Sequence, residues 1–124
     1  MSATPHAGEN VAHLTLQLHK VVQQYGPAAK AHAVAKASYM TAHAKKRLAV
    51  RASGEASSQA EASMHADADD YIAGLNQDQL IASAWVDTLK KQIEELKERI
   101  GYGRSLMADQ READKLLATN REIT

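Results

Sequence analysis

The sequence contains no cysteine and no phenylalanine, and it has one tryptophan, two prolines and six glycines in 124 residues. The absence of cysteine excludes disulfide bonds and thiolate metal sites. Aromatic residues make up only 4% of the chain, which disfavours a β-sandwich or β-barrel, because strands are usually rich in aromatic and β-branched residues. The longest mainly apolar run, residues 80–86, is far too short to cross a bilayer. The N-terminus lacks a basic segment followed by an apolar run, so we expect no signal peptide and a cytoplasmic location.

Alanine dominates what is present, at 24 of 124 residues. Together with Leu, Glu, Lys, Arg and Gln it forms a composition that is typical of helices. The chain is long enough for one small domain or for a few long helices that share one core. The composition therefore predicts an all-α protein.

Glycine, proline and capping residues divide the chain into segments. Gly26-Pro27 predicts the end of a first helix and Ser53-Gly54 the end of a second. Asn76, with Gln79 three residues later, resembles the capping box of a third helix. The sequence predicts a flexible tail (1–9), a single helical domain (10–115) and a C-terminal tail (116–124). Within the domain it predicts helices at about 10–25, 28–52 and 77–108. A mobile acidic connector (55–76) joins the second helix to the third.

The third predicted helix carries a stripe of residues at alternating steps of three and four, the spacing of a coiled coil. This seam consists of Val86, Leu89, Ile93, Leu96, Ile100, Gly103 and Met107. One amphipathic helix cannot bury such a seam alone, so it must pack on the second helix as a long hairpin or on copies of itself. Because a two-helix hairpin has little interior, we expect the chain to self-assemble. The residues assigned to oligomerisation are Trp85, Leu89, Ile93, Leu96 and Ile100.

Two glycines, Gly101 and Gly103, interrupt good helix-forming residues within this seam region. Each costs about 1 kcal/mol relative to alanine in a helix. They are expected either to mark a bend or to let another backbone approach closely.

The charges are segregated although they sum to zero, with 15 basic and 15 acidic residues. Residues 20–51 hold seven Lys and Arg, and no acid lies between Asn10 and Gly54. Residues 55–87 hold seven acids and no Lys or Arg. The zero net charge therefore hides a basic half and an acidic half.

On a helical wheel, five basic residues of the second helix fall within about 100° of one another, with Tyr39 beside them. This basic stripe consists of His32, Lys36, His43, Arg47 and Arg51. A weaker apolar face lies opposite and consists of Val34, Ala37, Thr41, Leu48 and Ala52. A basic stripe that lacks acids and carries an aromatic residue suits a phosphate backbone with base stacking.

Two other interpretations of the basic stripe stay open. It can be a solvated helix face, although such faces usually mix charges of both signs. Alternatively, the acidic connector folds back on the stripe and acts as an internal competitor or mediates subunit contacts.

No motif predicts a catalytic or metal site. Among six histidines no pair has the spacing His-x3-His, and the acids at 67–70 lack the glycine and glutamate of a calcium loop. No grouping of serine, histidine and acid suggests nucleophilic catalysis. We therefore expect no enzyme activity, no cofactor and no metal.

Three features together resemble the UvsY family of phage recombination mediators. The first is a basic helix that ends in KKRLAVR (45–51) just before a glycine turn. The second is a polar, acidic connector. The third is a long helix with Trp85 near its start that ends in LKERIGYGR (96–104) and MADQR (107–111).

The resemblance implies a helical hairpin assembled into a heptameric ring in the host cell cytoplasm. Such proteins bind single-stranded DNA without sequence preference and help to load a recombinase against a single-strand binding protein. The family's DNA contacts correspond to Lys45, Lys46 and Arg51. The resemblance and the helical wheel together give six candidate nucleic-acid-binding residues, namely Lys36, His43, Lys45, Lys46, Arg47 and Arg51. The expected partners are single-stranded DNA, a recombinase, a single-strand binding protein and further copies of the chain, with no membrane.

A second hypothesis is a coiled-coil interaction protein without a DNA role, such as a phage inhibitor or an assembly factor. It rests on the seam and on the zero net charge. A third is a helical component of the virion.

Overall fold

The computed structural model describes the backbone of residues 7–123 and the side chains of residues 10–120. It contains three helices, α1 (Ala7–Ala52), α2 (Gln59–Ala68) and α3 (Asp70–Ile123), and no strand within this range. The predicted all-α class is confirmed, and so is the hairpin-like packing of α1 on α3.

The contacts divide the chain into two compact units, where the sequence predicts a single domain over 10–115. Unit 1 joins the part of α1 up to Gln23 to the part of α3 from Leu89 onward. Unit 2 spans Gln24–Thr88 and contains all of α2.

The core of unit 1 is built by the facing seams of α1 and α3. Leu14 is buried with Leu96 and Ile100. Val11, Leu18 and Val21 pack against this cluster and are partly buried. Their spacing of three and four residues places them on one face of α1, so this part of the predicted first helix is confirmed.

The predicted α3 seam is also confirmed, and the chain itself covers it. All seven seam residues, from Val86 to Met107, are buried or half-buried. Leu89 has no exposed surface. Leu89, Ile93, Leu96 and Ile100 are therefore part of the internal packing, which corrects their assignment to a subunit interface. Trp85 alone among the five assigned residues is largely exposed, at 48%.

Gly103 explains how closely α1 and α3 approach in unit 1. It is buried, and a Cβ added to it would lie 2.6 Å from Cγ2 of Val11. Real Cβ atoms do not approach carbon that closely, so only glycine fits here without a shift. A Cβ at Gly101 would meet open space. Of the two alternatives predicted for the pair, a bend or the close approach of another backbone, Gly103 shows a close approach, and the atom that approaches belongs to the Val11 side chain.

The break predicted at Gly26-Pro27 is wrong, because α1 runs through it to Ala52. Proline removes one backbone donor inside a helix, and its Cδ normally crowds the Cβ of the preceding residue. Gly26 has no Cβ, which relieves the second of these penalties. The helix does end where Gly54 predicts, since Gly54 adopts a left-handed φ of 81°.

The connector predicted at 55–76 is largely helical. Ser58 caps α2 by accepting a hydrogen bond from the Glu61 N–H at 3.1 Å. Asp69 interrupts the helices for one residue, and its Oδ1 accepts a hydrogen bond from the Ile72 N–H at 3.1 Å, which starts α3. Two well-formed caps therefore order a segment whose composition alone suggests mobility.

The predicted start of the third helix at 77 is accordingly wrong. Asn76 and Gln79 are joined by a side-chain hydrogen bond of 3.0 Å inside α3. At the other end, α3 continues to Ile123, so residues 116–123 are helical and not a tail. At the N-terminus, Ala7–Glu9 belong to α1, and residues 1–6 of the predicted tail lie outside the described residues, as does Thr124.

Candidate nucleic-acid interface

The face of α1 that packs inside unit 2 is not the apolar face predicted from the sequence. The buried or half-buried positions include Ala28, His32, Ala35, Tyr39, Ala42, His43, Lys46 and Val50. The predicted apolar face is exposed, including Val34 and Leu48. At 100° per residue the packed positions from Ala28 to Val50 fall within about 100° of one another, so the wheel does place them on one face. That face consists mainly of alanine and histidine, and because it has few large apolar side chains the hydrophobic pattern does not single it out.

His43 is fixed by a neighbour from α2. Its Nε2–H donates a hydrogen bond of 2.9 Å to Oδ1 of Asp67, and its side chain is only 16% exposed. The ring also packs at a tilt on Tyr39, with 5.7 Å between ring centroids. His43 is one of the residues predicted to bind phosphate, and its Nε2–H is therefore already engaged by Asp67.

Lys46 is paired in the same way, with Asp69. The Lys46 Nζ lies 3.6 Å from Asp69 Oδ2. The pKa of Asp69 lies below its ordinary value because the Ile72 N–H donates to the carboxylate, and the Lys46 charge lowers it further. The same carboxylate thus caps α3 and neutralises a basic residue of α1.

These two contacts bring the acidic segment back against α1, at His43 of the basic stripe and at Lys46, which lies outside the stripe. Asp67 is the second-last residue of α2, and Asp69 lies directly before α3. A buried apolar cluster also joins the two helices, and it consists of Val50 of α1, Ala56 of the intervening turn and Ala62 of α2.

Arg47 and Arg51 lie one turn apart and border an open groove of about 380 Å³. Gln59, the first residue of α2, lines the same groove. The Arg47 Nε is buried and has no hydrogen-bond partner among the described residues. No ion pair within 10–120 includes either guanidinium.

An acid near this groove, Glu61, is already engaged. Its Oε2 accepts hydrogen bonds of 2.9 Å from the Ser57 N–H and 3.1 Å from the Ser57 hydroxyl. These bonds lower the pKa of Glu61, and the charge of Arg51 adds to the effect. The groove thus places two guanidinium groups next to Gln59, and two neighbouring guanidinium groups favour an anion.

Lys36 and Lys45 lie apart from the arginine groove. Both are exposed. Lys45 lines a second groove of about 550 Å³ together with Val34 and Tyr71. The six predicted nucleic-acid-binding residues therefore do not form one surface: two are paired with acids, two border the arginine groove, and two are exposed elsewhere on α1.

The sequence analysis missed the residues that organise this region. Gln59, Asp67 and Asp69 are absent from the predicted site. The sequence contains a signal that leads to them, since Ser58 followed by Glu61 is a capping box at the start of α2. That motif predicts an ordered helix in the connector, and an ordered helix brings its acids back to α1.

Within the described range, no group of three His, Asp or Glu side chains is arranged to hold a metal ion. None of the helices in that range has an apolar stretch long enough to cross a membrane. No protein-family model, no curated protein and no solved structure matches the chain.

Proposed function

We propose that this chain is a non-catalytic protein that binds single-stranded DNA through the groove of Arg47 and Arg51. The observation that carries the proposal is the pair of guanidinium groups without an ion-pair partner beside the first residue of α2. Arginine binds phosphate with two parallel hydrogen bonds. Contacts of this kind recognise the phosphate backbone without regard to sequence.

Such a protein fits the role of an accessory factor that helps a recombinase displace a single-strand binding protein. The resemblance to the UvsY family supports this part of the proposal. Assembly into a heptameric ring stays a prediction. The α3 seam residues face α1 of the same chain, so a ring would need another surface.

The test is fluorescence polarisation of a labelled poly-dT oligonucleotide between about 50 and 300 mM salt. We expect binding that weakens steeply with salt. The variant Arg47→Ala/Arg51→Ala should bind more weakly, and the slope of log K against log salt should fall by about 1.4 if two phosphate contacts are lost.

The matched control is Lys90→Ala/Lys91→Ala, which removes the same charge from exposed positions of α3. Equal losses in both variants would indicate attraction by general charge and exclude a site at the groove. No binding by the wild-type chain at the lowest salt concentration would exclude the function itself.

A second candidate is a coiled-coil interaction factor without DNA binding. It is favoured by the pairing of His43 with Asp67 and of Lys46 with Asp69, which uses two of the predicted cations inside the chain. A stable complex with a recombination protein, formed by a chain that does not bind DNA at about 50 mM salt, would select this candidate.

A further inference from the structure

The arginine groove has a second chemical side that a phosphate group cannot fill. Besides Arg47 and Arg51, it is lined by Ala44 and Leu48 of α1 and by Gln59 of α2. Its volume of about 380 Å³ lies within the range of about 300–1,000 Å³ that is usual for small-molecule sites. A phosphate group satisfies the guanidinium groups but leaves the apolar wall without a partner. The ligand that fits the whole groove therefore has both an anionic and an apolar part.

Leu48 is the main apolar group of the groove. Its side chain is 71% exposed, although a solvent-facing position of a helix normally carries a polar residue. Arg51 follows Leu48 by three residues, a spacing that places two side chains next to each other on a helix. An exposed apolar surface thus adjoins a guanidinium group that has no ion-pair partner among the described residues.

Gln59 adds a polar group that is free to bind a ligand. Its side chain is exposed and makes no hydrogen bond with the described residues. A glutamine amide carries an acceptor oxygen and an NH2 donor. This combination matches the donors and acceptors along the edge of a nucleobase.

The base contact expected from Tyr39 has to come from other side chains. Tyr39 packs its ring on His43, and none of the described residues that line the arginine groove is aromatic. Arginine can replace an aromatic residue here, because its flat guanidinium group stacks on bases as well as binding phosphate. A base in the groove therefore has two surfaces to lie on, the guanidinium groups and Leu48.

We infer that the groove binds one nucleotide of the strand as a unit. The phosphate lies on Arg47 and Arg51, the base lies against Leu48, and the edge of the base forms hydrogen bonds with the amide of Gln59. This inference rests on the proposed function, because it assigns a ligand unit to the same groove. It adds that the base contributes to affinity, which a site for phosphate alone does not require.

The test compares two labelled strands of equal length and charge, oligo-dT and an abasic strand, by fluorescence polarisation at several salt concentrations. We expect the abasic strand to bind at least about threefold more weakly, because base stacking is lost. The slope of log K against log salt should be the same for both strands, since it reports the number of phosphate contacts and the phosphates are identical.

Two variants assign the base contact to the groove. Gln59→Ala and Leu48→Ala should each weaken the binding of oligo-dT about two- to tenfold with an unchanged salt slope. Neither should change the affinity for the abasic strand. The matched controls are Gln77→Ala and Leu80→Ala, which remove the same groups from exposed positions of α3. Far-UV circular dichroism checks that every variant is helical.

The outcomes separate this inference from the proposed function. If the wild-type chain binds neither strand at the lowest salt concentration, the chain does not bind DNA and both ideas are wrong. Equal affinities for the two strands would overturn the inference and leave phosphate binding at Arg47 and Arg51 intact. The inference is also overturned if Gln59→Ala and Leu48→Ala lose no more affinity than their controls.

Discussion

The imidazole of His43 donates a 2.9 Å hydrogen bond to Asp67, a residue 24 positions further along the chain. This bond joins the middle of the basic segment to the acidic segment that follows it. With the neighbouring pair of Lys46 and Asp69, it places two carboxylates beside basic residues of α1. Under the proposed function, the acidic segment would compete with DNA for these residues.

Removing these carboxylate charges should strengthen DNA binding. In Asp67→Asn/Asp69→Asn the amides keep the shape of the side chains, and Asn still caps a helix as well as Asp does. We expect the affinity for poly-dT at low salt to rise about two- to tenfold, since surface ion pairs are weak and screened. Fluorescence polarisation measures the change.

The control for this charge effect is Asp109→Asn/Asp114→Asn, which removes two charges from the exposed end of α3. An equal rise in affinity in both variants would show that only the net charge matters. An unchanged affinity in Asp67→Asn/Asp69→Asn would show that the two acids do not compete with DNA.

The two glycines of α3 should respond in opposite directions to alanine. Gly101→Ala adds a Cβ in open space and should stabilise the fold by about 1 kcal/mol through helix propensity. Gly103→Ala forces a shift against Val11, and overpacking of this kind typically costs about 1–3 kcal/mol. Urea unfolding followed by circular dichroism measures both changes.

The cause can be checked by removing the contacted atom. Because Val11→Ala deletes Cγ2, Gly103→Ala should be less destabilising in that background than in the wild-type chain. Additive effects of the two substitutions would contradict the explanation by close approach.

The seam should contribute to stability through internal packing. Leu89 has no exposed surface, whereas Leu80 on the same helix is 56% exposed. Leu89→Ala should lower the free energy of unfolding by about 2–5 kcal/mol, and Leu80→Ala should change it by less than about 0.5 kcal/mol. Thermal and urea unfolding at low protein concentration measure the stability of both variants. Similar losses of unfolding free energy in the two variants would show that Leu89 is not a core residue.

Acid should weaken the α2 region. The pKa values of Glu61 and Asp69 lie below their ordinary values of 4.5 and 3.8, chiefly because backbone N–H groups of Ser57 and Ile72 donate to the carboxylates. A carboxyl group with a lowered pKa stabilises the fold above its ordinary pKa, and this contribution is lost as the pH falls through the lowered value. Unfolding midpoints should therefore fall between about pH 5 and about pH 2.

The variants Glu61→Gln and Asp69→Asn should each reduce this pH dependence, since they remove the titrating group. Glu112→Gln, at an exposed position of α3, serves as the control. If the two variants retain the full acid dependence of the wild-type chain, the caps are not its source.

Much of the fold follows from local pattern. The alternating spacing from Val86 to Met107 predicts which side of α3 is buried, because large apolar side chains at a regular period exclude water only when that one side is covered. The packed residues of α1 from Val11 to Val21 have the same alternating spacing. The hydrophobic pattern does not identify the packed face in the second half of α1, because alanines occur on every side of the helix and the faces differ little in hydrophobicity.

The candidate site was less predictable, because its residues are distant in sequence. Arg47 and Arg51 are visible as basic residues one turn apart, but the groove beside them exists only because α2 begins at Gln59 and lies against α1. The pairing of His43 with Asp67 likewise depends on a turn at Gly54 that reverses the chain. A helical wheel contains no information about such contacts.

The sequence by itself determined the helical class, the α3 seam and the separation of a basic half from an acidic half, because composition, period and charge are local properties of the chain. Only the tertiary structure decided which partner covers the seam, which cations are neutralised and why Gly103 has no side chain. Those outcomes depend on distances between residues that are far apart in sequence, and α1 and α3 acquire these distances only when they pack together.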